Sequence, residues 1–198
     1  MPDTYLFDIG NVIISFDFNR TVAKLVDHCS VPAESALELV GDLTVELELG
    51  QLTPDEFFTK ASERIGFRGE TDYFRAAFED IFDLNLPMVE FVEKQKADGA
   101  RLFLLSNTNG IHVPFFEKSY PVFGHFEDRI YSHEVGLMKP DPAIFAAAVE
   151  KFDLIPENTV YIDDRPENCE AGREAGFLTI RYDVTDHDAF ETAHAEFN

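Results

Sequence analysis

Four short stretches of this 198-residue sequence set chemistry-bearing side chains at or next to the ends of apolar elements. Asp8 follows Tyr5-Leu6-Phe7, Ser106-Asn107 follow Leu102–Leu105, and the pair Asp163-Asp164 follows Val160–Ile162. The fourth stretch, Met138-Lys139-Pro140-Asp141-Pro142, carries a lone lysine just ahead of a helical pattern. Uninterrupted apolar runs of this length suit strands buried on both faces. In an open parallel sheet, ligands bind outside the carboxyl ends of the strands. Each stretch alone has an ordinary explanation, since an Asp after a strand commonly turns the chain or caps a helix. Ser-Asn commonly opens a turn, and Lys-Pro-Asp-Pro is a plausible helix start. Asp163-Asp164 resists that explanation: adjacent carboxylates at a buried strand end repel, and need a cation or several donors to stay ionised. All four together, in this order along one sheet edge, point to a ligand site.

The elements that must position these residues follow from the hydrophobic pattern. Strands are expected at Thr4–Asp8 and Val12–Phe16, either side of a break at Gly10-Asn11, and at Arg101–Leu105, Arg129–Ser132, Thr159–Ile162 and Leu178–Arg181. Helices are expected at Met88–Asp98 before Gly99, at Pro142–Phe152 with Pro at its start, and at Glu167–Ala175 before Gly176. Strands alternating with helices predict an α/β fold, a Rossmann-like doubly wound parallel sheet with helices on both faces. Between the first strands and the rest, Arg20–His28, Pro32–Val40, Pro54–Ile65 and Thr71–Phe82 repeat apolar residues at three and four, with no strong strand among them. The expected organisation is a core of residues 1–16 and 85–198, with residues 17–84 as a helical insert.

Composition narrows the function classes. Hydrophobic residues make up 45% and the formal charge is −22, so a packed core is available and the surface is strongly acidic. A general grip on nucleic acid or an anionic membrane needs positive surface, so neither is an expected partner. No apolar stretch is long enough to span a membrane, and MPDTYLFDIG lacks the basic start of a signal peptide, which makes the cytoplasm the expected location. Cys29 and Cys169 are far apart with no metal-ligand spacing, and are expected to be reduced thiols.

Asp8-Ile9-Gly10-Asn11-Val12, Ser106-Asn107, Lys139-Pro140 and Asp163-Asp164 resemble the four motifs of the haloacid dehalogenase superfamily. The insert after the first motif resembles the helical C1 cap of its subfamily IA. The Asp-x-Gly-Asn-Val form, Asp17-Phe18-Asn19-Arg20 and Ser106-Asn107-Thr108-Asn109 are similar to bacterial sugar-phosphate phosphatases of the α-D-glucose-1-phosphate phosphatase type.

The resemblance implies phosphoryl transfer through an aspartyl-phosphate, with Asp8 as nucleophile and a small phosphorylated metabolite, a sugar phosphate, as substrate. A carboxylate cannot approach a phosphate dianion unassisted, because like charges about 4 Å apart repel by several kcal/mol at intermediate dielectric. Mg²⁺ is therefore expected, held by Asp8, the Gly10 carbonyl and Asp164, with Asp163 in an outer position that could bind directly or through water. Asn168 matches a further acidic position that is neutral here. Ser106 and Lys139 are the expected phosphate-binding and charge-neutralising groups, with Gly10, Asn11 and Asn107 lining the phosphate. One departure matters: these phosphatases usually carry a second Asp two residues after the nucleophile, as general acid and base, where this chain has Gly10. Asp17 or a bound water is the expected substitute. Asn19, Arg20, Glu46 and Glu48 are candidate contacts from the insert, and His112 and His133 lie near the second and third motifs. The alternatives are a 2-haloacid dehalogenase, which needs no metal, and a decayed binding or regulatory protein on the same scaffold. A monomer or homodimer is expected.

Overall fold

The computed structural model describes residues 3–197, apart from the side chain of Glu34. The chain begins with β1 (Thr4–Phe7) and β2 (Ile14–Phe16), then four helices: α1 (Asn19–Leu25), α2 (Ala33–Glu48), α3 (Pro54–Ile65) and α4 (Thr71–Glu79). It continues through β3 (Phe82–Leu84), α5 (Leu86–Ala97), β4 (Arg101–Ser106), α6 (His112–Ser119), β5 (Asp128–Tyr131) and α7 (Ser132–Val135). Last come α8 (Pro142–Phe152), β6 (Thr159–Asp163), α9 (Pro166–Glu174), β7 (Leu178–Arg181) and α10 (His187–Ala195).

Five strands form a parallel sheet in the order β5-β4-β1-β6-β7, as the doubly wound expectation requires. The chain winds outward from β1 through β4 to β5, then returns to the other side of β1 as β6 and β7. The reversal beside β1 opens a crevice at its carboxyl end. Strand alternation gives the sheet two buried faces. Tyr5 and Phe7 pack with Phe91, Phe116 and Phe190 on one face. Leu6, Phe103 and Tyr161 pack with Ile144, Phe145 and Phe152 on the other.

Helices α1–α4 close around a third cluster, rich in aromatic rings, that includes Leu43, Leu47, Phe57, Phe58, Phe74 and Phe78. Helix α3 matches its expected span because its signals are local. Thr53 and Glu56 form a capping box, Pro54 opens the helix, and Gly66 closes it at φ 61°. Three other expectations need correction. Helix α2 runs to Glu48 rather than stopping at Val40: Leu43 and Leu47, each 1% exposed, carry the apolar stripe onward. Gly41 sits on the exposed side, where it lowers helix propensity by about 1 kcal/mol without ending the helix. The helix expected over Thr71–Phe82 ends at Glu79, and Phe82–Leu84 is a strand paired antiparallel with β2. Three residues are too few to show a period of two, so its apolar residues blend into the helical pattern. Finally, β2 begins at Ile14 and not Val12, because Val12, Ile13 and Ile14 all donate their amides to Ile9 O in a tight turn. Helices α6, α7 and α10 had no counterpart in the sequence reading. Both cysteines are free, and among the described residues no helix is long and apolar enough to cross a membrane.

Candidate active site

Sheet register assembles the site. Phe7 lies level with Ile162 of β6, and the Asp8 amide extends that ladder to Ile162 O at 2.9 Å. Asp8 is thus the neighbour of Asp163. Alternation from Leu6 and Tyr161 directs both acids to the α8 face, and Lys139 precedes α8. Its Nζ lies 2.9 Å from Asp8 Oδ1 and 2.6 Å from Asp163 Oδ2, with all three side chains no more than 9% exposed.

Asp163 is the most heavily bonded of these groups. Its Oδ2 also accepts from the Tyr161 hydroxyl at 2.5 Å, and its Oδ1 accepts from Arg165 N and Asn168 Nδ2 at 2.9 and 3.0 Å. These donors hold the carboxylate in place to orient Lys139. Asn107 fixes the lysine from its other side, as Nδ2 donates to Lys139 O at 2.9 Å while Oδ1 accepts from Lys139 N at 2.8 Å. The Asn107 side chain therefore clamps the lysine loop at the edge of the cleft that it also lines. Asn11, held at φ 54°, similarly donates Nδ2 to Asp164 Oδ2 at 3.0 Å. Tyr161 was missed from the sequence. Its position two residues before Asp163 on one strand, hence on the same face, was the signal available.

Burial pushes the Asp8 carboxyl up to about 6, with Lys139 opposing and Asp163 adding to the rise. Burial would raise Asp163 too, but Lys139 and its other donors outweigh that and hold it below the usual carboxylate range. Burial likewise works against the Lys139 charge, yet the two carboxylates raise it above an ordinary lysine. Asp164 is raised by burial, with Asp163 adding to the effect. With all three acids ionised against one ammonium, the cluster has an excess of two negative charges. Asp8, Asp163 and Asp164 offer oxygens within 4.8 Å of one another, a hard donor set suited to a small divalent cation. Buried Asn168 Oδ1 has no hydrogen-bond partner among the described residues, which leaves one more acceptor beside them.

A cleft of about 90 Å³ runs between the sheet edge and the α1–α4 helices, lined by Gly10, Phe16, Glu48, Ser106, Asn107 and His112 among others. Ser106 is 2% exposed at the end of β4. Of the four candidates from the insert only Glu48 lines this cleft. Asn19 is bonded to Asp17, Arg20 pairs with Asp83, and Glu46 faces Lys60 at 3.8 Å. Asp17 is not brought to the site either. It is exposed, and its Oδ1 accepts from Asn19 N at 2.9 Å and Asn19 Nδ2 at 2.8 Å. His112 is a packing residue at the cleft wall. Burial lowers it to about 4, and its ring nitrogens meet Asn109 and Phe78 O. His133 contacts Thr108 O at 3.2 Å.

A family model described as haloacid dehalogenase-like hydrolase matches residues 2–176. The chain is 26% identical over 190 residues to D-ribitol-5-phosphate phosphatase of Bacteroides thetaiotaomicron, covering 91% of this chain and 92% of that protein. It is 34% identical over 77 residues to glyceraldehyde 3-phosphate phosphatase of Methanopyrus kandleri, covering 37% and 33% of the two chains. A solved haloacid dehalogenase family enzyme of Bacteroides thetaiotaomicron, in complex with magnesium and inorganic phosphate, superposes with a TM-score of 0.80 at 28% identity. That match covers 90% of this chain and 93% of the other.

Proposed function

From the premise that this chain belongs to the haloacid dehalogenase-like hydrolases, and is a phosphoric monoester hydrolase acting on a small phosphorylated metabolite, we propose that its substrate is a sugar or sugar-alcohol phosphate. Asp8 is the nucleophile, Ser106 donates to a phosphoryl oxygen, and Lys139 neutralises charge that builds on phosphate and on Asp8. Asp163 and the Asn107 side chain position Lys139. Residues 17–84 act as a cap over the cleft, excluding water and selecting the substrate. The observation that supports this reading best is a single buried ammonium between two carboxylates, at the switch point of the sheet.

The donor set fits magnesium. Asp8, Asp164 and the Gly10 carbonyl would hold it, while Asp163 is already occupied by four donor groups. A magnesium ion there would offset the repulsion between Asp8 and a phosphate dianion. The dehalogenase alternative, which needs no metal, gives no account of three clustered acids. The D-ribitol-5-phosphate phosphatase relative supports a polyol or sugar phosphate in particular.

A panel of phosphorylated sugars, sugar alcohols and unrelated metabolites, assayed with magnesium or with EDTA, tests the proposal. The expected result is phosphate release that stops in EDTA and is fastest on a sugar or sugar-alcohol phosphate. Equal rates with and without EDTA refute the metal site. Faster turnover of a non-sugar phosphate refutes the substrate class.

A further inference from the structure

Gly10 leaves the reaction without an acid at the usual place, and the structure shows that the place is filled. A Cβ on Gly10 would lie 2.9 Å from Cε1 of the Phe16 ring, so an aspartate there could not project as the ring now stands. The same cleft has one carboxyl group on its opposite wall, that of Glu48, the last residue of α2. Two anchors fix that end of the helix. Leu47 is buried in the cluster beneath α1–α4. Gly50, at φ 69°, packs so closely on α7 that a Cβ would meet His133 O at 2.3 Å. The turn after Glu48 is therefore seated against the sheet-bearing part of the molecule.

We propose that Glu48 is the general acid and base of this enzyme, delivered from the helical insert in place of the residue that Gly10 lacks. The inference rests on the phosphatase reading above and adds a catalytic residue to it. In the first step Asp8 forms a bond to phosphorus, and the bond from phosphorus to the ester oxygen breaks. The departing oxygen keeps that electron pair and takes the Glu48 proton, leaving as an alcohol. In the second step the Glu48 carboxylate takes a proton from water as its oxygen bonds to phosphorus. The bond from phosphorus to Asp8 then breaks, which releases phosphate and restores both carboxyl groups.

The groups around Glu48 suit that cycle. Burial raises its carboxyl to about 7, with Asp8 adding to the rise and Arg165 of the β6–α9 loop opposing it. His112, on the same cleft, is held neutral. On α7, His133 is lowered by burial while Glu134 opposes this, and on the insert Glu46 and Lys60 face each other. A carboxyl that titrates near neutrality can both give and take a proton at working pH.

The test compares Glu48→Gln with wild type on p-nitrophenyl phosphate, whose leaving anion needs no proton, and on glycerol phosphate, whose alkoxide does. In Glu48→Gln, kcat/KM for glycerol phosphate should fall about 10²–10⁴-fold, the usual worth of acid–base help. On p-nitrophenyl phosphate it should fall less than about tenfold, with a burst of one p-nitrophenolate per enzyme as the aspartyl-phosphate accumulates. The alkaline limb near pH 7 in wild-type kcat/KM for glycerol phosphate, lost as Glu48 deprotonates, should be absent from the variant. Glu46→Gln, two residues away and facing Lys60, should retain full activity on both substrates. Equal losses on the two substrates, a raised KM at constant kcat, or no loss at all overturns the proposal. A lower thermal midpoint with proportional loss on both substrates also overturns it, because it identifies a purely structural role. If wild type releases phosphate from no substrate of the panel, the phosphatase reading itself fails, and this inference with it.

Discussion

The strand-end cluster and the helical insert on either side of the cleft are held by opposite physics. On the strand-end side, Asp8, Lys139 and Asp163 bring charge into a nearly solvent-free space and hold it through mutual pairing and donors from Tyr161, Arg165 and Asn168. On the helical side the interior is hydrocarbon. Phe58 packs its ring on Phe57, Phe74 and Phe78 with centroids 5.5, 5.1 and 6.1 Å away, and Arg75 lies over its face at 4.7 Å. The electrostatic wall depends on Lys139, whose ammonium is paired with both buried carboxylates. The hydrocarbon wall tolerates many substitutions of similar volume and contributes a single carboxyl, Glu48, to the cleft. Charge is thus concentrated where the parallel sheet makes the backbone rigid, and the facing helices supply shape and one carboxyl.

The sharpest break in that contrast comes from Asp8→Asn. Loss of a covalent nucleophile should lower kcat at least about 10⁴-fold. Folding should not suffer with it. The Asp8 carboxyl is raised from 3.8 to about 6, so folding disfavours its ionised form and its contribution to stability declines as pH rises through that window. In metal-free buffer at pH 7 the melting temperature of Asp8→Asn should therefore equal or exceed that of wild type. A lower value would show that Asp8 holds the charged wall together.

Lys139→Met should damage both properties. Removing the one cation leaves two buried carboxylates facing each other, at a cost of about 3–5 kcal/mol in urea unfolding at pH 7. Turnover should drop about 10²–10³-fold, as for loss of one preorganised charge-stabilising group. If the variant is instead as stable as wild type, the charged wall is not held by pairing.

Phe58→Ala probes the other side and should have the smallest effect on chemistry. The cavity left in the aromatic cluster should cost about 3–5 kcal/mol. In the folded fraction, turnover of p-nitrophenyl phosphate should change less than about tenfold, because the ring's aromatic partners and Arg75 all lie in α3 and α4. A larger loss would show that the two walls are coupled through α2.

Much of the charged wall is legible in the sequence for a physical reason. A doubly buried strand writes itself as an apolar run, and its first polar residue marks the carboxyl end, so Asp8, Ser106 and Asp163-Asp164 declare themselves locally. Lys139 stands out because cations are scarce in this chain. Less legible is what each polar side chain points at. Asn11 and Asn107 sit in the motifs expected to line phosphate, yet one bonds Asp164 and the other clamps Lys139, since loop backbone angles set their directions. Asp17 lies close to the first motif in sequence but turns to the start of α1. Glu46 and Glu48 are equivalent by composition; two positions on a helix separate them by about 200°, so only one faces the cleft once the rotation of α2 is fixed.

By itself, the sequence determined the five strands of the parallel sheet and their order along the chain, the acids that end the central strands, and the excess of negative charge that calls for a cation. These depend on nearest neighbours and hydrophobic period, which a linear chain carries in full. Tertiary structure decided that Asp163 would bond a lysine, that Phe16 would stand against Gly10, and that Glu48 would line the cleft. Each of these is a meeting of residues distant in the chain, fixed by sheet register and by the packing of α2 against α7, and no local pattern encodes such a distance.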